Sequence, residues 1–154
     1  MRDDRVNELN RARLSTLEPG TGNLGRRHVA ACREAGITLL VTQAYRDMDE
    51  QAALYAKGRT GPGRVVTNAR PGYSWHNFRR AYDVAVVDGG LVRWTGPEYV
   101  RAGEIGKSLG LVWGGGFGSI KGDLGHFEYH PGMTLEDARR NSLSPTTASH
   151  GMRR

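Results

Sequence analysis

Apolar and small residues recur at helical spacing in the first third of the chain. The stretch 23–35 repeats such residues every three or four positions and is followed by Gly36, which predicts a helix that ends there. Asp47 precedes a second helical stretch, and Glu50 follows three residues later, which is the pattern of a capping box. With Gly58 as its stop, this helix is predicted to have about three turns.

Strands are predicted in segments that lack this helical spacing and are rich in apolar, β-branched or aromatic residues. Residues 37–44 form an apolar run, ITLLVTQA, that is too short for a separate helix and predicts a buried strand. Residues 81–87 and 91–94 flank an Asp-Gly-Gly turn, which favours an antiparallel hairpin because glycine tolerates positive φ. Residues 126–130 read HFEYH, so the two histidines and the glutamate of this strand are expected on one face.

Two further helices are predicted in the second half of the chain. Residues 97–109 begin with a proline and end before a glycine, and Thr134 is placed to cap a final helix. This order of elements indicates an α+β fold, a single domain with a small antiparallel sheet flanked by helices. The domain is predicted to span residues 1–141, and residues 142–154 to form a flexible basic tail with too little apolar content to pack.

The composition narrows the class of protein. A chain of 154 residues is long enough for one domain with a buried core and a cleft. Its only cysteine, Cys32, excludes an intramolecular disulfide and a thiolate zinc site, so any metal must be bound by histidine and carboxylate. The first fifteen residues contain no apolar run, which predicts a protein made and kept in the cytoplasm, with no transmembrane segment.

The net charge of +6 indicates attraction to polyanions. Its basic residues are scattered in short pairs rather than aligned on one helix, so we expect anionic cell-envelope polymers as partners and no nucleic acid. We also expect a monomer.

The residues with catalytic potential form two short groups. His76 and Asp83 are seven residues apart, and Asp123 and His126 are three apart, spacings that are not specific by themselves. Asp83 lies in an otherwise apolar strand, where an ionised carboxylate is costly to bury without a cation or hydrogen bonds. A zinc ion bound by two neutral imidazoles and one carboxylate would meet that need and leave a position for water, as in catalytic zinc sites.

Four ordered blocks of the sequence carry a family resemblance. They are VTQAYRDMDEQAALYAKGRT at 41–60, SWHNFRRAYD at 74–83, LVWGGGF at 111–117 and DLGHFE at 123–128. Together they resemble the zinc peptidases that include D-Ala-D-Ala carboxypeptidases, D-Ala-D-Ala dipeptidases and the L-alanyl-D-glutamate endopeptidases of phage endolysins. The endopeptidase branch is the most similar. The resemblance covers most of the chain and implies an α+β fold with zinc at the sheet and the peptidoglycan peptide stem as substrate.

The resemblance assigns roles to the residues that match the family motifs. It implies that His76, Asp83 and His126 are the Zn²⁺ ligands. Asp123 would then be the general base, which takes a proton from the attacking water and passes it to the departing amine.

The resemblance also implies residues that act on the substrate. Arg46 matches the arginine near the scissile carbonyl, where it would stabilise the developing oxyanion. Ser74 matches a serine that helps seat the substrate, and Gln51 is expected to line the same cleft. Arg79 stands where most relatives have glycine, so it must either adopt a conformation that glycine favours or change the loop.

Several of these residues have simpler interpretations that the sequence leaves open. His76 could be a loop histidine bonded to backbone, and Asp83 could pair with Arg79 or Arg80. Asp123 lies between glycines and could be an ordinary turn aspartate.

A rival metal set is formed by His126, Glu128 and His130, although Pro131 excludes the helical geometry of other zinc peptidases. Arg46 could instead pair with a neighbouring aspartate on the surface, a contact of little energetic value. Trp113 could floor the cleft but is more typical of a core residue, and the remaining histidines are interpreted as surface or helix residues.

The leading functional prediction is therefore hydrolysis of the peptidoglycan stem, at the bond between L-alanine and D-glutamate. Cleavage of terminal D-Ala-D-Ala is the alternative within the enzymes. A zinc-containing binding module without turnover is the alternative of another class, and the intact Asp123 argues against it. As a phage endolysin made in the cytoplasm, the protein would reach the cell wall through a separate holin pore.

Overall fold

The computed structural model describes residues 1–116 and 123–143 of the chain. The described residues form five α-helices around one antiparallel sheet of five strands, the predicted fold class. The helices are α1 Asp3–Leu14, α2 Pro19–Glu34, α3 Met48–Ala56, α4 Glu98–Ser108 and α5 Leu135–Leu143, and the strands are β1 Thr38–Gln43, β2 Ala81–Asp88, β3 Leu91–Arg93, β4 Val112–Trp113 and β5 His126–Glu128.

Strand β2 is the centre of the sheet. It pairs with β1 along one edge, while its other edge is shared by β3 near the hairpin turn and by β5 near its start. The order β1-β2-β5-β4 therefore places the beginning of β2 deep in the sheet, between β1 and β5. An irregularity in register between Val41 and Gln43 bends β1 beside this point.

The main core lies between the sheet and helices α2 and α4. Leu39 and Val41 of β1 point into it and are fully buried, whereas Leu40 faces the other side and packs with Val6 of α1. This alternation is what a strand covered by helices on both faces requires. Among the described residues, no helix combines the length and the hydropathy that a membrane span needs.

Helix α1 was not predicted from the sequence. Its buried side chains are Val6, Asn10 and Leu14, so a polar residue interrupts the apolar stripe. Asn10 is nevertheless buried because its amide donates to the Leu39 carbonyl at 2.9 Å and accepts from the Val41 amide at 2.7 Å. These bonds satisfy polar backbone groups on the outer edge of β1.

Helix α2 begins four residues before its predicted start. The carboxylate of Glu18 accepts hydrogen bonds from the amides of Gly20 and Thr21, and Pro19 occupies the first turn. The two glycines that follow concealed this start in the sequence, because glycine disfavours helix interiors. Of the two interpretations given for His28, surface or helix residue, the structure shows the second: it lies on α2 and is fully buried.

Other predicted helix features are confirmed. Asp47 and Glu50 form both hydrogen bonds of the capping box, and Thr134 exchanges two hydrogen bonds with Asp137 at the start of α5. Helix α5 continues to Leu143, two residues past the predicted domain end at 141. The remainder of the predicted tail, 144–154, lies outside the described residues.

Two glycines within α4 serve close packing. A Cβ atom at Gly103 would lie 2.2 Å from the Trp113 ring, and one at Gly106 would lie 2.7 Å from the Phe127 ring. Both distances are too short for carbon atoms in contact. The indole of Trp113 also donates to the Leu124 carbonyl at 2.8 Å, so this side chain packs against the core and holds the segment that leads into β5.

Candidate metal centre and active-site cleft

The start of β2 brings together side chains from three parts of the chain. Asp83 of β2 is paired directly with His126 of β5 in the antiparallel ladder. His76 lies in a short 3-10 helix, Trp75–Phe78, just before β2. One potential ligand atom from each of these three residues lies within 4.8 Å of the others. The structure thus assembles the three residues that the sequence predicts as metal ligands.

Each imidazole of this group is anchored by the ring nitrogen that points away from Asp83. His76 donates from Nδ1 to the Ala44 carbonyl at 2.7 Å, and His126 donates from Nε2 to Oε1 of Glu128 at 2.7 Å. The other nitrogens, Nε2 of His76 and Nδ1 of His126, lie 3.3 and 3.0 Å from Oδ1 of Asp83. Such second contacts fix the ring orientation of metal-binding histidines, so the residues present fit a metal ion.

The charges of the group are strongly coupled. Burial favours the neutral acid of Asp83, but His76 and His126 outweigh burial and hold its pKa well below the ordinary value. Burial also disfavours a charged His126, but its hydrogen bonds with Asp83 and Glu128 raise its pKa to about 10. The carboxylates of Asp83 and Glu128 therefore favour a positive charge at the position between them, where His126 lies.

The simpler interpretations of Asp83 are wrong. Arg80 pairs with Glu18 at 3.6 Å, and the Arg79 guanidinium lies 3.8 Å above the Tyr45 ring. Neither arginine pairs with Asp83 among the described residues.

Arg46 extends the site on the side of β1. Its guanidinium donates to Gln51 at 2.9 Å and to Gln43 at 2.8 Å, and lies 3.8 Å from Oδ2 of Asp83. The alternative of a surface ion pair with a neighbouring aspartate is wrong, because Arg46 is buried and directed into the cleft.

Gln51 lies behind Arg46 and has no exposed surface. Besides binding Arg46, it donates to the Ala69 carbonyl at 2.7 Å. The sequence predicted that Gln51 lines the cleft. This prediction is wrong, because the fully buried amide does not reach the cleft surface and instead holds Arg46 in place.

Asp123 lines the same cleft as the three potential ligands. Burial, followed by the nearby Asp83 carboxylate, raises its pKa above the ordinary value, although His126 opposes the shift. The Asp123 carbonyl accepts from the His126 amide at 3.1 Å, so a tight turn links the two residues. Gly114 permits this turn, because a Cβ there would lie 2.4 Å from that carbonyl.

The residues on either side of the 3-10 helix shape its ends. Ser74 lines the cleft, and its hydroxyl accepts from the His76 amide at 3.2 Å. Arg79 ends the helix with φ of 63°, the only positive φ of a non-glycine residue among the described residues. Of the two outcomes expected at this position, the chain has kept the backbone conformation that glycine favours.

The cleft has a volume of about 540 Å³ and is open to solvent. Tyr73 lies on its wall, with the guanidinium groups of Arg70 and Arg139 at 4.2 and 4.1 Å from its ring. Neither arginine forms an ion pair within the described part of the chain. The rim of the cleft on this side is therefore positively charged.

His130 does not join the metal group. Its Nε2 donates to Oε2 of Glu128 at 2.5 Å, and the ligand atoms that meet in the described structure belong to His76, Asp83 and His126. The rival set of His126, Glu128 and His130 is thus not assembled as a metal site. The one-face pattern of HFEYH reflects this contact between Glu128 and His130 rather than shared metal ligation.

Comparison with known proteins decides the family. The family described as D-alanyl-D-alanine carboxypeptidase matches residues 16–95 and also residues 67–129, and the first match alone spans more than half of the chain. The chain belongs to this family. The predicted resemblance to peptidoglycan peptidases is confirmed, since the relatives are peptidases of this class.

One similar curated protein is the peptidoglycan L-alanyl-D-glutamate endopeptidase CwlK of Bacillus subtilis (strain 168). It is 37% identical over 112 residues, which are 66% of this chain and 66% of that protein. The match therefore spans just under two thirds of the relative's length.

Solved structures confirm the fold class. The L-Ala D-Glu endopeptidase ChiX of Serratia marcescens superposes with a TM-score of 0.61 and 20% identity, over 84% of this chain and 89% of that chain. The vancomycin resistance D,D-pentapeptidase VanY, in complex with Zn(II), superposes with a TM-score of 0.52 and 20% identity, over 83% and 79% of the two chains.

Proposed function

We propose that this protein is a zinc peptidase that hydrolyses the peptide stem of bacterial peptidoglycan at the bond between L-alanine and D-glutamate. The observation that carries the proposal is the group of His76, Asp83 and His126 on the wall of an open cleft. The relative of 37% identity, named as an L-alanyl-D-glutamate endopeptidase, supports the choice of bond.

The donor set suits zinc. Two imidazole nitrogens and one carboxylate oxygen are ligands that zinc prefers, and three protein ligands are typical of catalytic rather than structural zinc sites. When bound there, zinc supplies a Lewis acid that lowers the pKa of water and polarises a carbonyl oxygen.

Asp123 and Arg46 complete the chemistry. Asp123 is placed on the cleft wall to accept a proton from the attacking water and then to donate it to the departing amine. The buried Arg46 guanidinium, fixed by Gln43 and Gln51, stabilises negative charge on the carbonyl oxygen without having to reorganise.

Cleavage of terminal D-Ala-D-Ala is the second candidate. It is favoured by the description of the matched family and by a structural neighbour solved in complex with D-alanine-D-alanine. A binding module without turnover is opposed by the carboxylate of Asp123 in the cleft.

The experiment is digestion of purified peptidoglycan, with mass spectrometry of the products. We expect new amino-terminal glutamate, no product in the presence of a zinc chelator, and recovery when zinc is returned. Released D-alanine would support the carboxypeptidase instead. The absence of any chelator-sensitive product would contradict a peptidase.

We also propose that anionic cell-envelope polymers assist binding. The support is the net charge of +6 and the two arginines beside Tyr73, Arg70 and Arg139, which form no ion pair with another described residue. Co-sedimentation with cell walls should weaken from low to high salt, and the double substitution Arg70→Gln and Arg139→Gln should reduce the salt dependence. Arg5→Gln is the control, because Arg5 is already paired with Glu8. Salt-independent binding would contradict this role.

A role as a phage endolysin is a separate proposal, supported by the motif blocks that resemble that branch. In this role, the protein accumulates in the cytoplasm and reaches the wall through a holin. Expression in a bacterium should then cause lysis only when a pore-forming holin is expressed with it. Lysis without a holin would contradict this route.

A further inference from the structure

A chain of polar contacts continues from His126 to Glu128, which also lines the cleft. The two oxygens of Glu128 accept from different histidines, Oε1 from His126 at 2.7 Å and Oε2 from His130 at 2.5 Å. Glu128 is buried, and this pair of bonds occupies both of its oxygens. The orientation of the carboxylate behind His126 is therefore determined at both ends.

His130 is itself held by an aromatic stack. Its ring lies parallel to that of Trp75, with centroids 4.0 Å apart and an interplanar angle of 6°. Trp75 is buried and directly precedes His76 in the 3-10 helix. The contacts thus run from a residue beside one predicted metal ligand, through His130 and Glu128, to another predicted ligand.

The bond from His130 restricts the rotation of the Glu128 side chain. His130 lies beyond the end of β5, so the sheet ladder does not fix its ring. A glutamate with a single hydrogen bond could rotate about its side-chain torsions and carry the His126 imidazole with it. The second bond, from a ring stacked on Trp75, removes that freedom.

We propose that His130 is a positioning residue of the metal centre, which acts by hydrogen bonding to Glu128 and so fixes the ring of His126. The inference rests on the proposed function, because it requires a metal at His76, Asp83 and His126. It assigns His130 neither as a ligand nor as a catalytic residue. Removal of the group bonded directly to a metal-binding histidine, here Glu128, commonly changes metal affinity by about 10- to 100-fold, and His130 acts one bond further from the metal.

Two substitutions separate the hydrogen bond from the stacking. His130→Phe keeps a flat ring for Trp75 and removes the donor, whereas His130→Gln keeps an amide donor near the position of Nε2 and removes the ring. Zinc affinity is measured on the full chain by competition with a chromophoric chelator. Circular dichroism of the metal-free proteins checks that each variant is folded.

We expect His130→Phe to weaken zinc binding by about 10-fold, the lower end of the range for a direct partner, and His130→Gln to weaken it by less than about threefold. Glu128→Gln serves as a reference and should weaken binding at least as much as His130→Phe. Unchanged affinity in both His130 variants would overturn the inference. So would an equal loss in both, or a loss confined to His130→Gln, since the affinity would then not follow the donor.

The wild-type protein separates this inference from the proposed function. Wild-type protein that binds zinc, together with an unaffected His130→Phe variant, contradicts the positioning role and leaves the peptidase proposal standing. Wild-type protein that binds no zinc contradicts both.

Discussion

Asp83 and His126 face each other across the β2–β5 ladder, with Oδ1 and Nδ1 3.0 Å apart. Nε2 of His76 lies 3.3 Å from the same carboxylate oxygen. A carboxylate this close to two buried imidazoles is stable when a positive charge lies among the three groups, on an imidazole or on a metal ion. The site is therefore poised for a cation by the pairing of two strands.

Substitution of the two aspartates should separate metal binding from turnover. Asp83→Ala removes a predicted ligand and should lose zinc and activity together. Asp123→Ala should retain about one zinc per chain while turnover falls by about 10²- to 10⁴-fold, the usual contribution of a general base. Zinc content by atomic emission and product release from peptidoglycan check both statements. Equal zinc loss in the two variants would show that the assigned roles are wrong.

The sequence located the metal group because its residues lie in recognisable blocks. His76, Asp83 and His126 are brought together by strand pairing, which spacing alone does not reveal, so the family motifs were needed to choose them. The burial of Gln51 was not predicted, because it depends on how α3 packs against the rest of the protein. The sequence placed Glu128 and His130 on one face but did not show that they bond to each other. Motifs specify which residues belong to a site more readily than they specify how each one acts.

Arg79 provides a test of backbone strain at the end of the 3-10 helix. Arg79→Gly and Arg79→Ala both lose the contact with Tyr45 and the 2.7 Å hydrogen bond to the Thr16 carbonyl. Only glycine relieves the cost of a φ of 63°. The glycine variant should therefore be more stable than the alanine variant by about 1 kcal/mol in denaturant unfolding. Equal stability of the two variants would mean that this backbone position is unstrained.

Asn10 should contribute strongly to stability although it is polar. Asn10→Ala leaves the Leu39 carbonyl and the Val41 amide without their side-chain partners, each at a cost of about 1–3 kcal/mol. We expect a loss of about 2–4 kcal/mol in the free energy of unfolding. Asn7→Ala on the same helix is the control and should cost less than about 0.5 kcal/mol, because Asn7 is exposed and its hydrogen bond from Arg33 lies at the surface. Similar losses in both variants would contradict the edge-capping role of Asn10.

The same residue explains why α1 was not predicted. A helix is recognised by its apolar stripe, and here one of its three buried positions is Asn10. Asn10 stabilises the fold through hydrogen bonds to β1, and no pattern within α1 indicates a contact with a distant strand. By contrast, α3 was predicted because its signal, the Asp47–Glu50 capping box, is contained within the helix itself.

His28 should make the fold sensitive to acid. Burial lowers its pKa below the ordinary value of 6.5, although its hydrogen bond to the Ala102 carbonyl opposes the shift. Because the folded state holds His28 neutral, its contribution to stability is complete above the unfolded pKa and is lost as the pH falls below about 6.5.

The measurement is the free energy of unfolding of wild-type protein and of His28→Gln between pH 7 and pH 5. The wild-type protein should lose more stability than the variant over this range, by up to about 1.4 kcal/mol for each pH unit. Parallel pH profiles would mean that His28 does not take up a proton on unfolding.

We expect one zinc ion to be bound by three side chains of the cleft. Anomalous diffraction at the zinc absorption edge, from crystals grown with zinc, would locate that ion. We expect a single strong peak at about 2.0–2.2 Å from Nε2 of His76, Nδ1 of His126 and a carboxylate oxygen of Asp83. A peak at another location, or no peak between these residues in zinc-loaded crystals, would contradict it.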